Sequence, residues 1–353
     1  MMGKRVKGRL MLRSRWLPQL CLLAVSTFFA LGLGELAVRM ARPGFPGFAI
    51  PQTEHRPAPG LGYEMIPNQV AYTFASKVTI NSAGLRGPEI RLDEGFQGRR
   101  VLCLGDSITY GVGVDDDTPY PRQLERLLGD VWGGAPVEVI NAGVQRYATY
   151  QEIDQLRRLA GKLSPDIVVL GVYINDLKLR PKGNDVREYE LEREQAASAF
   201  RNRFPRVYLA IKNLALGSLA REILLSTASS GSAENIFKGE STERSEKKWA
   251  AHQEELREFY RLAETHPFRP LVVTIPSRHQ VVHDFPNSSY PARVLTACQE
   301  LGLPAIDVLS RFKSSLAEGL DPYLPWDNHL SEVGHRLVAE AIRDALREVT
   351  ARP

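Results

Sequence analysis

The 353-residue chain reads as an α/β protein built on a parallel sheet with helices on both faces. Two features predict this. Five short apolar runs, "RRVLCLGD", "PVEVINAGV", "PDIVVLGVYIND", "PLVVTIPS" and "PAIDVLSRF", are continuous rather than alternating, as strands buried on both faces are. Helical patterns at 119–128, 150–163, 244–264, 292–301 and 331–349 separate or follow them. Strands alternating with helices make parallel sheets, and functional sites in such sheets lie beyond the carboxyl ends of the strands.

The N-terminus carries a different signal. Six cations (Lys4, Arg5, Lys7, Arg9, Arg13, Arg15) precede "WLPQLCLLAVSTFFALGLG", residues 16–34, which holds no charge. As a helix this run spans ~29 Å, about one hydrocarbon core. The positive-inside rule then puts residues 1–15 in the cytoplasm, an anchor at 16–38, and the rest outside, periplasmic or on the outer face. A cleaved signal peptide has the same basic start and apolar middle and is the alternative. Either way, the remainder is exported.

Charge follows from that division. Residues 1–42 hold eight of the 45 cations and one of the 41 acids, so the rest of the chain is mildly acidic, at −3. An acidic body argues against a nucleic-acid partner. Of the three cysteines, Cys21 lies in the apolar run, while Cys103 and Cys298 read as small core residues.

Between anchor and sheet, residues 39–98 are rich in proline and glycine and read as a stalk with a small extended element. The main domain is expected at 99–353, interrupted by a long insertion at about 178–243 that turns from charged to amphipathic. That insertion reads either as a helical excursion packed on the domain or as a lid or membrane-lying flap over the site.

Polar residues gather where the strands end. In order these are Asp106 and Ser107, Asn141 and Gly143, Asn175 and Asp176, Ser277 with Arg278, His279 and His283, and then "DPYLPWDNHLSEVGH" with Asp321, Asp327, His329 and His335. A serine at a strand-to-helix junction is either a helix cap or a displayed nucleophile. Gly111 and Gly113 favour display, because they predict a flexible turn rather than a helix before about Pro119. Asp106 and Asp176 read as acids bracing their loops, and His335 as a structural residue. His279 and His283 have zinc-ligand spacing on a helix, but no third ligand is evident, and they read as bordering a substrate.

Four of these segments carry a family resemblance. "GDSITYG", "INAGV", "YIND" and "DNHLSEVGHRL" resemble, in order, the signature blocks of the SGNH or GDSL hydrolases. The lead-in "TINSAGLRG" is similar to that of many membrane-anchored bacterial members. The resemblance implies a three-layer, flavodoxin-like domain with a five-stranded parallel sheet, and a serine esterase that needs no cofactor or metal. It implies Ser107 as nucleophile, His329 as base and Asp327 as the acid orienting it. The oxyanion donors would be the N–H groups of Ser107 and Gly143 with the Asn175 amide. Two positions depart from the pattern. Tyr173 replaces the usual glycine of the third block, beside the substrate, and Trp326 stands where the acid usually does. The two-residue step from Asp327 to His329 is similar to that in related alginate acetylation proteins. The implied activity is cleavage of an ester, an O-acyl group on a cell-envelope glycan or a lipid. The alternatives are an acyltransferase with the same triad and a non-catalytic binding module.

Overall fold

The computed structural model describes residues 8–45, 47–92, 96–129, 131–132, 134–180, 199–220 and 235–351. The basic residues 1–7 and two stretches of the expected insertion, 181–198 and 221–234, lie outside the described residues. Helix α1 (Gly8–Ala41) opens the chain, and its Trp16–Ala41 portion is long and apolar enough to cross a membrane, with its most apolar window wholly unburied.

Two antiparallel hairpins follow: β1 (His55–Ala58) with β2 (Gly62–Met65), in the stretch read as stalk, and β3 (Gln69–Thr73) with β4 (Ser76–Ile80), in the expected extended element. Met65, Val78 and Ile80 pack with Tyr110, Val144 and Tyr147 of the main domain in one apolar cluster.

The main sheet contains β5 (Arg99–Leu104), β6 (Val137–Asn141), β7 (Ile167–Val172), β8 (Arg269–Thr274) and β9 (Ala305–Asp307). They are parallel and lie in the order β6-β5-β7-β8-β9. Numbered from β5, this is the flavodoxin-like order 2-1-3-4-5, and its switch point lies between β5 and β7. Alternate residues feed two cores, as the pleat requires. Leu102, Leu104, Val168 and Leu170 face one layer, and Val101, Cys103, Ile167 and Val169 the other. The first layer packs on α4 (Thr149–Leu163), α6 (Glu243–Thr265) and α8 (Ala292–Leu301). The second packs on α3 (Tyr120–Leu128), α9 (Leu309–Ala317) and α10 (Glu332–Ala351). Of the insertion, α5 (Pro205–Lys212) is described, as is the short α7 (Arg278–Val282) after β8.

Two local expectations differ. The chain after Asp106 does not stay irregular until Pro119, because α2 (Ser107–Tyr110) begins at once. The run "PAIDVLSRF" is strand for three residues only, since Asp307 Oδ1 accepts from Leu309 N–H at 3.2 Å and starts α9.

Candidate active site

The site starts from β5. Gly105 follows it at φ 155°, and a Cβ there would lie 2.0 Å from Thr109 Oγ1, so only glycine lets α2 fold back over the strand end. Asp106 caps α2, its Oδ1 accepting from Ile108 N–H at 2.8 Å. Capping therefore falls to Asp106, and the Ser107 hydroxyl is released from that duty. Ser107 is 9% exposed, and its Oγ donates to Asp106 Oδ2 at 3.2 Å.

Asn175 comes from the far side of the switch point. After β7, Tyr173 leads into a 3₁₀ turn, Ile174–Asp176, which closes when Asp176 Oδ2 accepts from Tyr173 N–H at 2.6 Å. That turn aims the Asn175 amide at Asp106 Oδ2, 2.8 Å away. Asp106 thus ties the ends of β5 and β7 together with Ser107 and Asn175 on one carboxylate. Gly143, beyond β6, passes so close to α2 that a Cβ would sit 2.2 Å from the Tyr110 nitrogen. Its N–H donates to Asn141 Oδ1 at 3.0 Å.

Asp327 and His329 arrive on the loop between Asp321 and Ser331, which closes on itself. Leu324 N–H donates to His329 O at 2.9 Å, and Tyr323 bridges Leu330. Within the loop, Asp327 Oδ1 accepts from both the backbone N–H and the ring Nδ1 of His329. That leaves Nε2 as the basic nitrogen of the imidazole. Burial alone pushes His329 down, but the hydrogen bond and charge of Asp327, with Asp106 beyond, outweigh it and hold the imidazole above its ordinary value. Asp321 serves elsewhere. Arg278 donates to its Oδ2 at 2.5 Å and to Leu324 O at 2.9 Å, fastening the loop to α7.

Tyr173 stands between the two halves. Burial, then the charges of Asp106, Asp327 and Asp176, push its phenol upward, so it stays neutral while feeling the carboxylates of both. His279 lies on α7 and His283 just past its end. Both are exposed, and their rings meet edge to face at 4.7 Å, with His279 packed against Phe285 at 4.9 Å and Phe237 at 5.4 Å. His335 is buried and accepts from Tyr120 N–H at 3.2 Å, and burial pushes it down to about 3, so it stays neutral.

Two groups went unnoticed in the sequence. Arg86, buried to 3% exposure, donates to the carbonyls of Tyr110 at 2.8 Å, Gly111 at 2.5 Å and Val114 at 2.7 Å. It fixes the loop that follows α2, and a lone arginine in a glycine-rich turn gave no sign of this. Glu152, in the first turn of α4, is fully buried, and neither of its carboxylate oxygens has a hydrogen-bond partner among the described residues. Burial, reinforced by Asp106, pushes it well above the carboxylate range, and burial with Glu152 does the same to Asp176. Both are held toward the neutral acid behind Asp106.

An uncharacterized protein of Mycoplasma pneumoniae is 30% identical over 122 residues, 34% of this chain but only 14% of that protein. Among solved structures, TesA is 13% identical with a TM-score of 0.41, over 71% of this chain and 99% of that one. The acetylxylan esterase Axe2 from Geobacillus stearothermophilus is 16% identical with a TM-score of 0.38, over 73% and 96%. CEX, a two-domain esterase active on acetylated mannans, is 16% identical with a TM-score of 0.42, over 72% and 50%. The model of the GDSL-like lipase/acylhydrolase family matches residues 103–337, from inside β5 to inside α10, and the chain belongs to that family.

Proposed function

We propose that this chain is an exported, membrane-anchored serine hydrolase that cleaves an ester through Ser107, His329 and Asp327. What supports the reading is the imidazole of His329, held by Asp327, on a loop whose Leu324 side chain reaches Gly113 in the turn that follows Ser107 and α2. A serine hydroxyl needs a base, and an imidazole whose Nδ1 is fixed by a carboxylate presents Nε2 for that work.

The Ser107 hydroxyl turns from Asp106 toward His329 as substrate enters; such contacts often tighten only in the complex. Nε2 takes the hydroxyl proton while Oγ bonds to the acyl carbon, and the carbonyl oxygen becomes an oxyanion. The Ser107 N–H and the Asn175 amide, which has a second hydrogen beyond the one given to Asp106, receive that charge. Gly143 contributes by letting the end of β6 approach α2, and its N–H turns inward only if Asn141 yields it. Collapse expels the alcohol, protonated by the imidazolium, and water then repeats the cycle on the acyl-enzyme. The Asp106 carboxylate, beside the nucleophile, is a further support for the imidazolium.

The six N-terminal cations before an apolar helix support residues 1–15 as cytoplasmic and 16–38 as the anchor. The domain at 99–353 then stands outside, where acylated envelope glycans and lipids lie within reach. Tyr173, and more distantly His279 and His283, border the approach in this proposal. The test is labelling of the full chain by a fluorophosphonate probe. Wild-type protein is expected to react and Ser107→Ala to be silent; undiminished labelling of Ser107→Ala removes Ser107 from the role.

A further inference from the structure

Residues 199–220 carry a pattern that ester chemistry does not use. Phe200, Phe204, Val207, Ile211 and Leu214 follow at steps of four and three, and each is 45–56% exposed. The same stretch holds Arg201, Arg203, Arg206 and Lys212 and no acid. Its other face is occupied: Arg201 is buried and pairs with Glu54, and the Asn213 amide exchanges hydrogen bonds with the Phe48 backbone. A monomer in water has little reason to expose five large apolar side chains in one stripe.

The position of this segment along α1 suggests what covers it. The backbone N–H groups of Ala215 and Leu216 donate to the Glu35 carboxylate at 2.9 Å each, and Arg39 donates to Asn213 O at 2.6 Å. Leu216 lies 3.6 Å from where a Cβ on Gly34 would be. Gly34 is seven residues before the end of α1, roughly 10 Å along the helix. With α1 across a bilayer, residues 213–216 sit level with the outer boundary of the hydrocarbon core.

We infer that residues 199–220 form an interfacial element lying in the outer headgroup layer of an anionic bilayer. The Phe200–Leu214 stripe enters the acyl-chain boundary while the exposed Arg203 and Arg206 meet lipid phosphates. The inference rests on the proposed anchor. It also sets the place of the chemistry. Trp326, three residues before His329, donates from Nε1 to Pro43 O at 3.3 Å and packs edge-on against Phe45 at 5.3 Å. The loop bearing the base is therefore pinned to the residues that leave the membrane, and the ester served is one presented at the bilayer surface.

Fluorescence quenching in vesicles of phosphatidylethanolamine and phosphatidylglycerol tests this on the full chain. The chain carries Cys21→Ala and Ile211→Cys, labelled with an environment-sensitive dye. Emission is expected to shift to the blue and to be quenched by doxyl-labelled lipids several-fold more than with the dye at Glu300→Cys, on the exposed face of α8. Val207→Cys supplies a second site should Ile211→Cys fail to fold. Quenching by aqueous iodide but not by doxyl lipid overturns the inference. So does protection from both quenchers, the mark of a second copy covering the stripe. Dye on the native Cys21 reports the anchor separately: lipid quenching there without it at Ile211 sinks this inference and leaves the anchor standing.

Discussion

The two halves of the candidate site are built differently. Ser107 and Asn175 stand just beyond the ends of β5 and β7, strands fixed by backbone hydrogen bonds and two buried cores, and both side chains are tied to Asp106. Asp327 and His329 ride on a partly exposed loop that is tied to its surroundings by Arg278 on one flank and, through its own Trp326, by the Pro43 carbonyl on the other. The difference teaches where tolerance lies. A strand end cannot drift without disturbing the sheet, whereas a loop can keep its residues and lose its alignment. Substitutions on the first half should therefore remove a chemical group cleanly, and those on the second should blur geometry.

The largest expected effect is on the strand side. Ser107→Ala should lower kcat by roughly 10⁴–10⁶-fold with the thermal transition unchanged, measured on a soluble aryl ester. Residual turnover within ten-fold of wild type would mean that the nucleophile lies elsewhere. On the loop, Asp327→Asn should cost about 10⁴-fold, because the imidazole loses both orientation and charge support. The base must be neutral to act, so the wild-type rate should rise through a limb above the ordinary histidine value of 6.5, and the variant limb should move to lower pH. An unmoved limb would break the assignment of Asp327.

Asn175→Ala should reduce kcat by about 10²–10³-fold with little change in KM, as expected of a donor that acts mainly in the transition state. A change confined to KM would make Asn175 a binding group. The smallest effect sharpens the contrast most. Arg278→Ala and Asp321→Asn should each cost only about ten-fold in kcat, through loosened alignment of the loop. Asp321→Asn falling as far as Asp327→Asn would show that the wrong acid has been paired with His329.

Much of this was legible in the sequence because of burial. Strands covered on both faces must be continuous apolar runs, so β5 to β8 and the five helices α3, α4, α6, α8 and α10 stood out, as did the polar residues that follow. The capping at α2 was not legible. Aspartate and serine are equally good caps, and only the backbone turn at Gly105 decides that Asp106 takes the duty. Glu152 was hidden for another reason. Among "TYQEIDQLRR" it looks like a surface position, and it is buried because elements distant in sequence cover the first turn of α4. Arg86 likewise acts through carbonyls 24 to 28 residues away, which no local pattern announces.

The tie between Trp326 and Pro43 decides where the chain can be cut. A fragment made by trimming before Arg42 keeps Phe45 and the Pro43 carbonyl, and the loop retains its outer clamp. Trimming a few residues later, just past Phe45, leaves every strand and both cores intact yet frees the indole. Such a fragment should melt where the longer one does and turn over its ester more slowly. A protease that sheds the domain at the membrane would, by the same geometry, release an active or a crippled enzyme according to which side of residues 42–45 it clips.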